Sequence, residues 1–187
     1  MSIALVNHMW FHFVILLSIL TISLSEDPAP AAADCVYTFY IQTGSNFVFT
    51  GTDSKISVTF RDSAGNWIRI NNIESWGGRM GPGYDYFEAG NLDIFSGRGP
   101  CVPGPICSLT LTSDGSGMLP AWYVNYLELT TTGDHKSCGR QLFTLDTWLL
   151  PPFSLTAVKN NCGKSAVAED GSFGLSSVVG HDVNSDQ

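Results

Sequence analysis

Five cysteines, His135, His181 and a scatter of acids in turn-like segments are the side chains of this 187-residue sequence whose types suit chemistry. A serine hydrolase would need a Gly-x-Ser-x-Gly elbow with a histidine partner, and no such elbow occurs. His135 sits among Gly133, Asp134 and Lys136, three residues before Cys138. Nearness along the chain is not the geometry of a nucleophile and its base, and a disulfide or a structural thiol accounts for Cys138 better. Asp85 and Glu88 have the residue types of an acid/base pair in principle, but surface solubility explains them better. No catalytic site is therefore assigned, and the expectation is a chain that is not an enzyme.

Calcium is the cation that suits the remaining acids, because hard cations take oxygen ligands from clustered carboxylates, amides and loop carbonyls. Asp62 and Asn66 share one tight turn, and Asp53 and Asp114 lie in neighbouring loops, which makes these four the candidate calcium set. Their spacing is not that of an EF-hand loop, and ordinary turn chemistry is the competing explanation. The aromatics give a second lead. Trp67, Trp76, Met80 and Tyr84 fall in or beside loops, where large apolar side chains suit a membrane interface or a partner's pocket. The alternative is that they cap the core beneath a long loop.

The five cysteines, Cys35, Cys101, Cys107, Cys138 and Cys162, all follow the amino-terminal apolar stretch, and in an oxidising compartment they read as disulfide partners. Metal binding is the weaker reading, since no Cys-x-x-C occurs. Cys101 and Cys107 bracket Val102-Pro103-Gly104-Pro105-Ile106, which suggests a short bridged loop. Of Cys35, Cys138 and Cys162, two can pair and one is left over.

The elements that must hold these residues are short strands. Lys55 to Arg61 alternates Ile56, Val58 and Phe60 with Ser57 and Thr59, one face for the core and one for water. Cys35 to Thr43, Trp67 to Ile70, Asn91 to Phe95, Cys107 to Thr112, Trp122 to Thr130, Gln141 to Asp146 and Ser154 to Lys159 read as further strands, separated by Gly, Pro, Asp and Ser clusters. No segment carries a helical period with caps. The class is all-β, and about eight strands at this spacing point to a sandwich or barrel. The one long connection, Asn71 to Gly90, is glycine-rich and aromatic, and loops of that length are often functional.

Net charge is -8, but its distribution matters more than its sum. Between Cys35 and Cys162 ten acids face eight bases, giving -2, and the flanks carry the other -6. Phosphate-backbone binding needs clustered Lys and Arg, so nucleic acid is excluded as a partner. A body that is nearly neutral can still approach lipid. Residues 1–25 hold no Asp, Glu, Lys or Arg and are apolar from Phe13 to Leu24, which reads as a secretory signal peptide with cleavage after Ser25. An uncleaved anchor is the alternative, because Lys and Arg are also missing from the first residues. Residues 26–34 read as a Pro/Ala-rich linker, 35–162 as the domain and 163–187 as an acidic tail too poor in large apolar residues to order itself. The mature chain is expected in the endoplasmic reticulum lumen or outside the cell.

Several ordered motifs together resemble a known domain. Cys35-Val36-Tyr37-Thr38-Phe39-Tyr40, Gly51-Thr52-Asp53-Ser54, Tyr86-Phe87-Glu88-Ala89-Gly90-Asn91-Leu92-Asp93-Ile94-Phe95, Trp122-Tyr123-Val124-Asn125-Tyr126 and Trp148-Leu149 are similar to the PLAT/LH2 domain. The likeness covers about Cys35 to Cys162, and the layout resembles the small plant PLAT domain-containing stress proteins. It implies an eight-stranded β-sandwich of two four-stranded antiparallel sheets. It also implies a non-catalytic module that docks on membrane lipid or on a protein through its loop tips, with calcium in some members. Similar plant proteins are associated with the endoplasmic reticulum, abscisic acid responses and abiotic stress tolerance. The expectation is such a binding module. The alternative is a protein-interaction or inhibitor module that never touches lipid.

Overall fold

A computed structural model describes residues 34–45, 47, 49–134, 136–163 and 180–183. The expected signal peptide and nearly all of the expected linker lie outside the described residues. Strand β1 (Asp34–Thr43) shows how the chain builds its core: Cys35, Tyr37, Phe39, Ile41 and Thr43 are buried while the residues between them are not. Side chains alternate across a strand, so this period of two turns one whole face inward. The others are β2 (Ile56–Asp62), β3 (Trp67–Ile70), β4 (Leu92–Pro100), β5 (Ile106–Ser113), β6 (Trp122–Gly133), β7 (Lys136–Leu149), β8 (Thr156–Asn160) and β9 (Gly180–Val183).

Two sheets result, one ordered β4-β1-β6-β7 and the other β8-β5-β2-β3-β9. The all-β class and the sandwich hold, and each of the eight expected strands is present. The count needs correction from eight to nine, and the second sheet has five strands. The ninth adds in parallel to β3, with Trp67 opposite Gly180 and Ile70 opposite Val183. It lies inside the segment expected to be an unordered acidic tail. Backbone pairing and one valine hold it, so composition did not predict it. A second departure is the short helix α1 (Ile73–Gly77), too brief to show a period. Asn72 caps it, accepting from the backbone N–H groups of Glu74 at 3.1 Å and Ser75 at 3.3 Å.

Between the sheets Phe60 meets Tyr37 and Phe39 at ring-centroid distances of 4.8 and 5.8 Å, and Phe87 meets Phe95 and Trp122 at 5.4 and 5.1 Å. Tyr37 is fully buried, yet its hydroxyl donates to Pro100 O at 2.8 Å and accepts from Val102 N at 2.9 Å. Burial pushes this phenol up to about 12, against the opposing pull of the Val102 N–H.

The strand registers give the sandwich two unlike ends. Thr43 pairs with Val124, Trp122 with Leu149, Ile56 with Ser113, Thr112 with Thr156 and Gln42 with Leu92. Loops 44–55, 71–91, 114–121 and 150–155 therefore leave from one end. The other end carries the 63–66 turn and loop 101–105. It also holds both disulfides, Cys35–Cys101 and Cys107–Cys162, with Cys138 free and exposed. The short Cys101–Cys107 bridge expected from spacing does not form. The two cysteines instead flank a loop joining opposite sheets, and each is bonded to a strand end brought beside it by the fold.

Candidate functional site

The four-loop end is where exposed apolar side chains gather. Phe47 and Phe49 project from loop 44–55, Met118 and Leu119 from loop 114–121, and Phe153 from loop 150–155, with 55%, 70%, 92%, 45% and 83% of their surfaces exposed. Phe49 has a positive φ of 64°, a costly backbone for a bulky residue, and it is spent on a side chain that packs away from the core. Phe47 lies on the outer flank of its loop, with ring centroids 5.7 Å from Tyr123 and 6.0 Å from Trp148.

These loops are stitched together. Asp53 N donates to Leu119 O at 3.3 Å, Leu119 N donates back to Asp53 Oδ2 at 3.1 Å, and Thr52 Oγ1 donates to Leu119 O at 2.8 Å. Ser54 Oγ reaches Ser116 O at 2.7 Å, and Ser113 N reaches Leu155 O at 2.9 Å. The apolar tips thus stand on a braced platform.

Beside them is a carboxylate cluster. Asp53, Asp85 and Glu88 bring one oxygen each within 4.8 Å of one another. Among the described residues none of the three is in an ion pair; the single one is Arg140–Glu128, between β7 and β6. Burial first, then the charges of Asp85, Asp53 and Asp93, push the Glu88 carboxyl above its ordinary value. Asp93 stands behind this group, fully buried, with Oδ2 accepting from Phe87 N at 2.7 Å and Oδ1 without a hydrogen-bond partner. Burial raises its pKa too, opposed by the Phe87 and Tyr84 bonds. Phe87 itself has φ 60°, so the Asp93 bond fixes the backbone turn that presents Glu88. Three oxygen-donor groups of like charge this close together are the ligand type that a hard cation such as calcium takes.

The deciding likeness is in the sequence itself: residues 37–152 match the PLAT/LH2 domain family model. The chain belongs to this family. It is 52% identical over 152 residues to PLAT domain-containing protein 2 of Arabidopsis thaliana, covering 80% of each chain. It is equally identical to PLAT domain-containing protein 1 of the same plant, covering 80% of this chain and 81% of that one. Among solved structures it is similar to a coral 8R-lipoxygenase, at TM-score 0.48 and 22% identity over 66% of this chain and 16% of that one.

Of the four candidate calcium residues, this PLAT domain brings only Asp53 into the cluster. Asp62 and Asn66 lie at the disulfide end, buried: Asn66 N and Nδ2 donate to Asp62 Oδ1 and Oδ2 at 2.9 and 2.7 Å, and Gly104 N adds a bond at 3.0 Å. They close the 63–66 turn and pin loop 101–105. Asp114 is at the correct end but accepts from Lys55 N, Ser116 N and Ser116 Oγ at 3.0, 2.9 and 2.6 Å. Those bonds outweigh its burial and hold its pKa below the usual value. The acids that join Asp53 are Asp85 and Glu88, which sequence spacing offered only as an acid/base pair.

The four aromatic and thioether candidates sit lower in the fold than expected for tips. Trp76 packs on Phe39 at 5.8 Å, Met80 and Tyr84 pack against the core, and Tyr84 accepts from Asn91 Nδ2 at 2.9 Å. Trp67 is half-buried on β3 at the far end of the sandwich. The tips that reasoning from sequence passed over carry a signal after the fact: Phe47, Met118-Leu119 and Phe153 each follow a Gly, Ser, Asn or Pro cluster, in a place where no strand can bury them.

Proposed function

We propose that this PLAT-domain chain is a non-catalytic module of the secretory pathway that docks on a membrane surface through its four-loop end. The observation that carries the reading is the convergence of Phe47, Phe49, Met118, Leu119 and Phe153 on three bonded loops. Exposed apolar groups clustered in this way mark interaction surfaces, and rings on rigid loops suit the lipid interface. The four loops carry five acids (Asp53, Glu74, Asp85, Glu88, Asp114) against two bases (Lys55, Arg79), which opposes approach to an anionic bilayer. Calcium held by Asp53, Asp85 and Glu88 would offset most of that charge, adding two positive charges to a net -3. Two disulfides support an oxidising compartment. A role in abiotic stress tolerance is supported by the resemblance to the small plant PLAT stress proteins.

The test is liposome co-sedimentation with phosphatidylcholine and phosphatidylserine vesicles, in calcium and in chelator. Binding that strengthens with calcium and is lost in a Phe47→Ser, Phe49→Ser, Phe153→Ser variant is the expected result. Failure to bind any vesicle in either condition would overturn the lipid reading and turn the same end toward a protein partner.

A further inference from the structure

Strand β9 adds a different kind of surface at the opposite edge of the molecule. β3 is four residues long, and its flank away from β2 would expose unpaired backbone donors and acceptors if β9 did not cover it. The β9 side chains meet two specific features. Gly180 lies flat on the Trp67 indole, where any Cβ would overlap Cε2 and Nε1. Three residues on, Val183 packs against the core beside Gly99, where edge strand β4 of one sheet meets the β3–β9 side of the other.

The seated strand is bound lightly. It spans Gly180–Val183, it is paired on one side, and its two middle residues are exposed. Its tether starts at Cys162, bonded to Cys107 at the start of β5, which lies three strand positions from β9 in the sheet. That is a gap of about 14 Å at ordinary strand spacing. The 17 steps of chain from Gly163 to Gly180 can reach about 55 Å. The chain is thus long enough to let the strand leave and return without unfolding the sheet, and what seats it is its pairing with β3 and the Val183 contact.

We propose that the flank of β3 is a strand-accepting interaction surface, filled here by the chain's own residues 180–183 and able to take an extended peptide segment of a partner protein. The peptide that fits has a small residue over Trp67 and a β-branched aliphatic residue three positions later beside Gly99. Main-chain pairing supplies the affinity and these two positions the selection, as in other strand additions. The chain's own segment is then a competitor that sets the threshold for partners.

The experiment uses the full chain, its Val183→Asp and Gly180→Leu variants, and a labelled synthetic peptide of residues 178–187. Hydrogen exchange at Trp67–Ile70 should quicken in both variants while the β1 and β6 amides stay protected, which shows an unseated strand in a folded domain. The peptide should bind each variant at least tenfold more tightly than the native chain, and a peptide carrying the Val183→Asp change should not bind. Equal binding to native and variant chains, no binding to either variant, or unchanged exchange at β3 would overturn the proposal. A dimer that forms in the native chain and is lost on Val183→Asp would overturn the choice of partner in favour of a second copy. None of these readouts involves vesicles or calcium, so the outcome is independent of the membrane test.

Discussion

Leu119 and Asp53 exchange bonds in both directions: the Leu119 N–H donates to Asp53 Oδ2 at 3.1 Å and the Asp53 N–H donates to Leu119 O at 3.3 Å. One carboxylate therefore braces an apolar loop and belongs to the acidic cluster. The two roles separate by substitution. Asp53→Asn keeps an acceptor for Leu119 but removes a charge, so it should weaken calcium binding by about tenfold while the Leu119 amide stays protected in hydrogen exchange. Asp53→Ala should lose both. Titration calorimetry and exchange on the same samples check the split.

The tips should be nearly silent for stability. Phe153 and Phe49 bury little in the free protein, so replacing either with Ser should change unfolding free energy by no more than about 0.5 kcal/mol. Vesicle affinity should fall by about tenfold for each, since inserting an aromatic ring contributes on the order of 1.5 kcal/mol or more. Thermal melts beside co-sedimentation give both numbers.

Stability should fall as pH rises through the weakly acidic range. The pKa values of Glu88 and Asp93 are raised in the fold. Between the ordinary carboxylate value and these raised ones, the folded state binds more protons than the unfolded chain, and the added pH removes that advantage. Asp114, lowered in the fold, acts in the opposite sense and at lower pH: its contribution is lost as pH falls through its folded value. Melts in chelator from pH 4 to about 7 should show the decline, calcium should flatten the part due to Glu88, and Asp93→Asn should remove the remainder.

Covalent and hydrogen-bonded ties dominate the far end. Loss of Cys35–Cys101, which closes a separation of 66 residues, should cost about 2–5 kcal/mol. Cys138→Ser, at an exposed free thiol, should stay within about 0.5 kcal/mol. Tyr37→Phe removes the buried hydroxyl that bonds Pro100 O and Val102 N and should cost about 1–3 kcal/mol. Denaturant unfolding of the three variants ranks them.

The strands were legible because a period of two reports burial directly: Ile56, Val58 and Phe60 announce a strand wherever they fall. Sites assembled from several loops carry no such period. Asp53 meets Asp85 and Glu88 across more than thirty residues of chain, and the register of β1 with β4, with the Thr52–Phe87 and Gly90–Gly44 backbone bonds, brings their loops together. Asp62 and Asn66 looked like ligands because turn-closing and cation-binding residues are of the same types, and the difference lies in where their bonds go. Cys101 and Cys107 misled for a related reason, since closeness in sequence says little about two residues that a loop carries to opposite sheets. β9 escaped notice because main-chain pairing leaves almost no trace in side-chain composition.

The polarity of the sandwich has a practical outcome for how the molecule can be mounted. The described chain enters β1 at Asp34 and leaves β8 toward Cys162 at the cross-linked end, opposite the apolar tips. A tag, a solid support or a fused protein joined just ahead of Asp34 would hold the domain by its stiffest part and leave Phe47, Phe49, Met118 and Phe153 facing the medium, like a brush gripped by its ferrule.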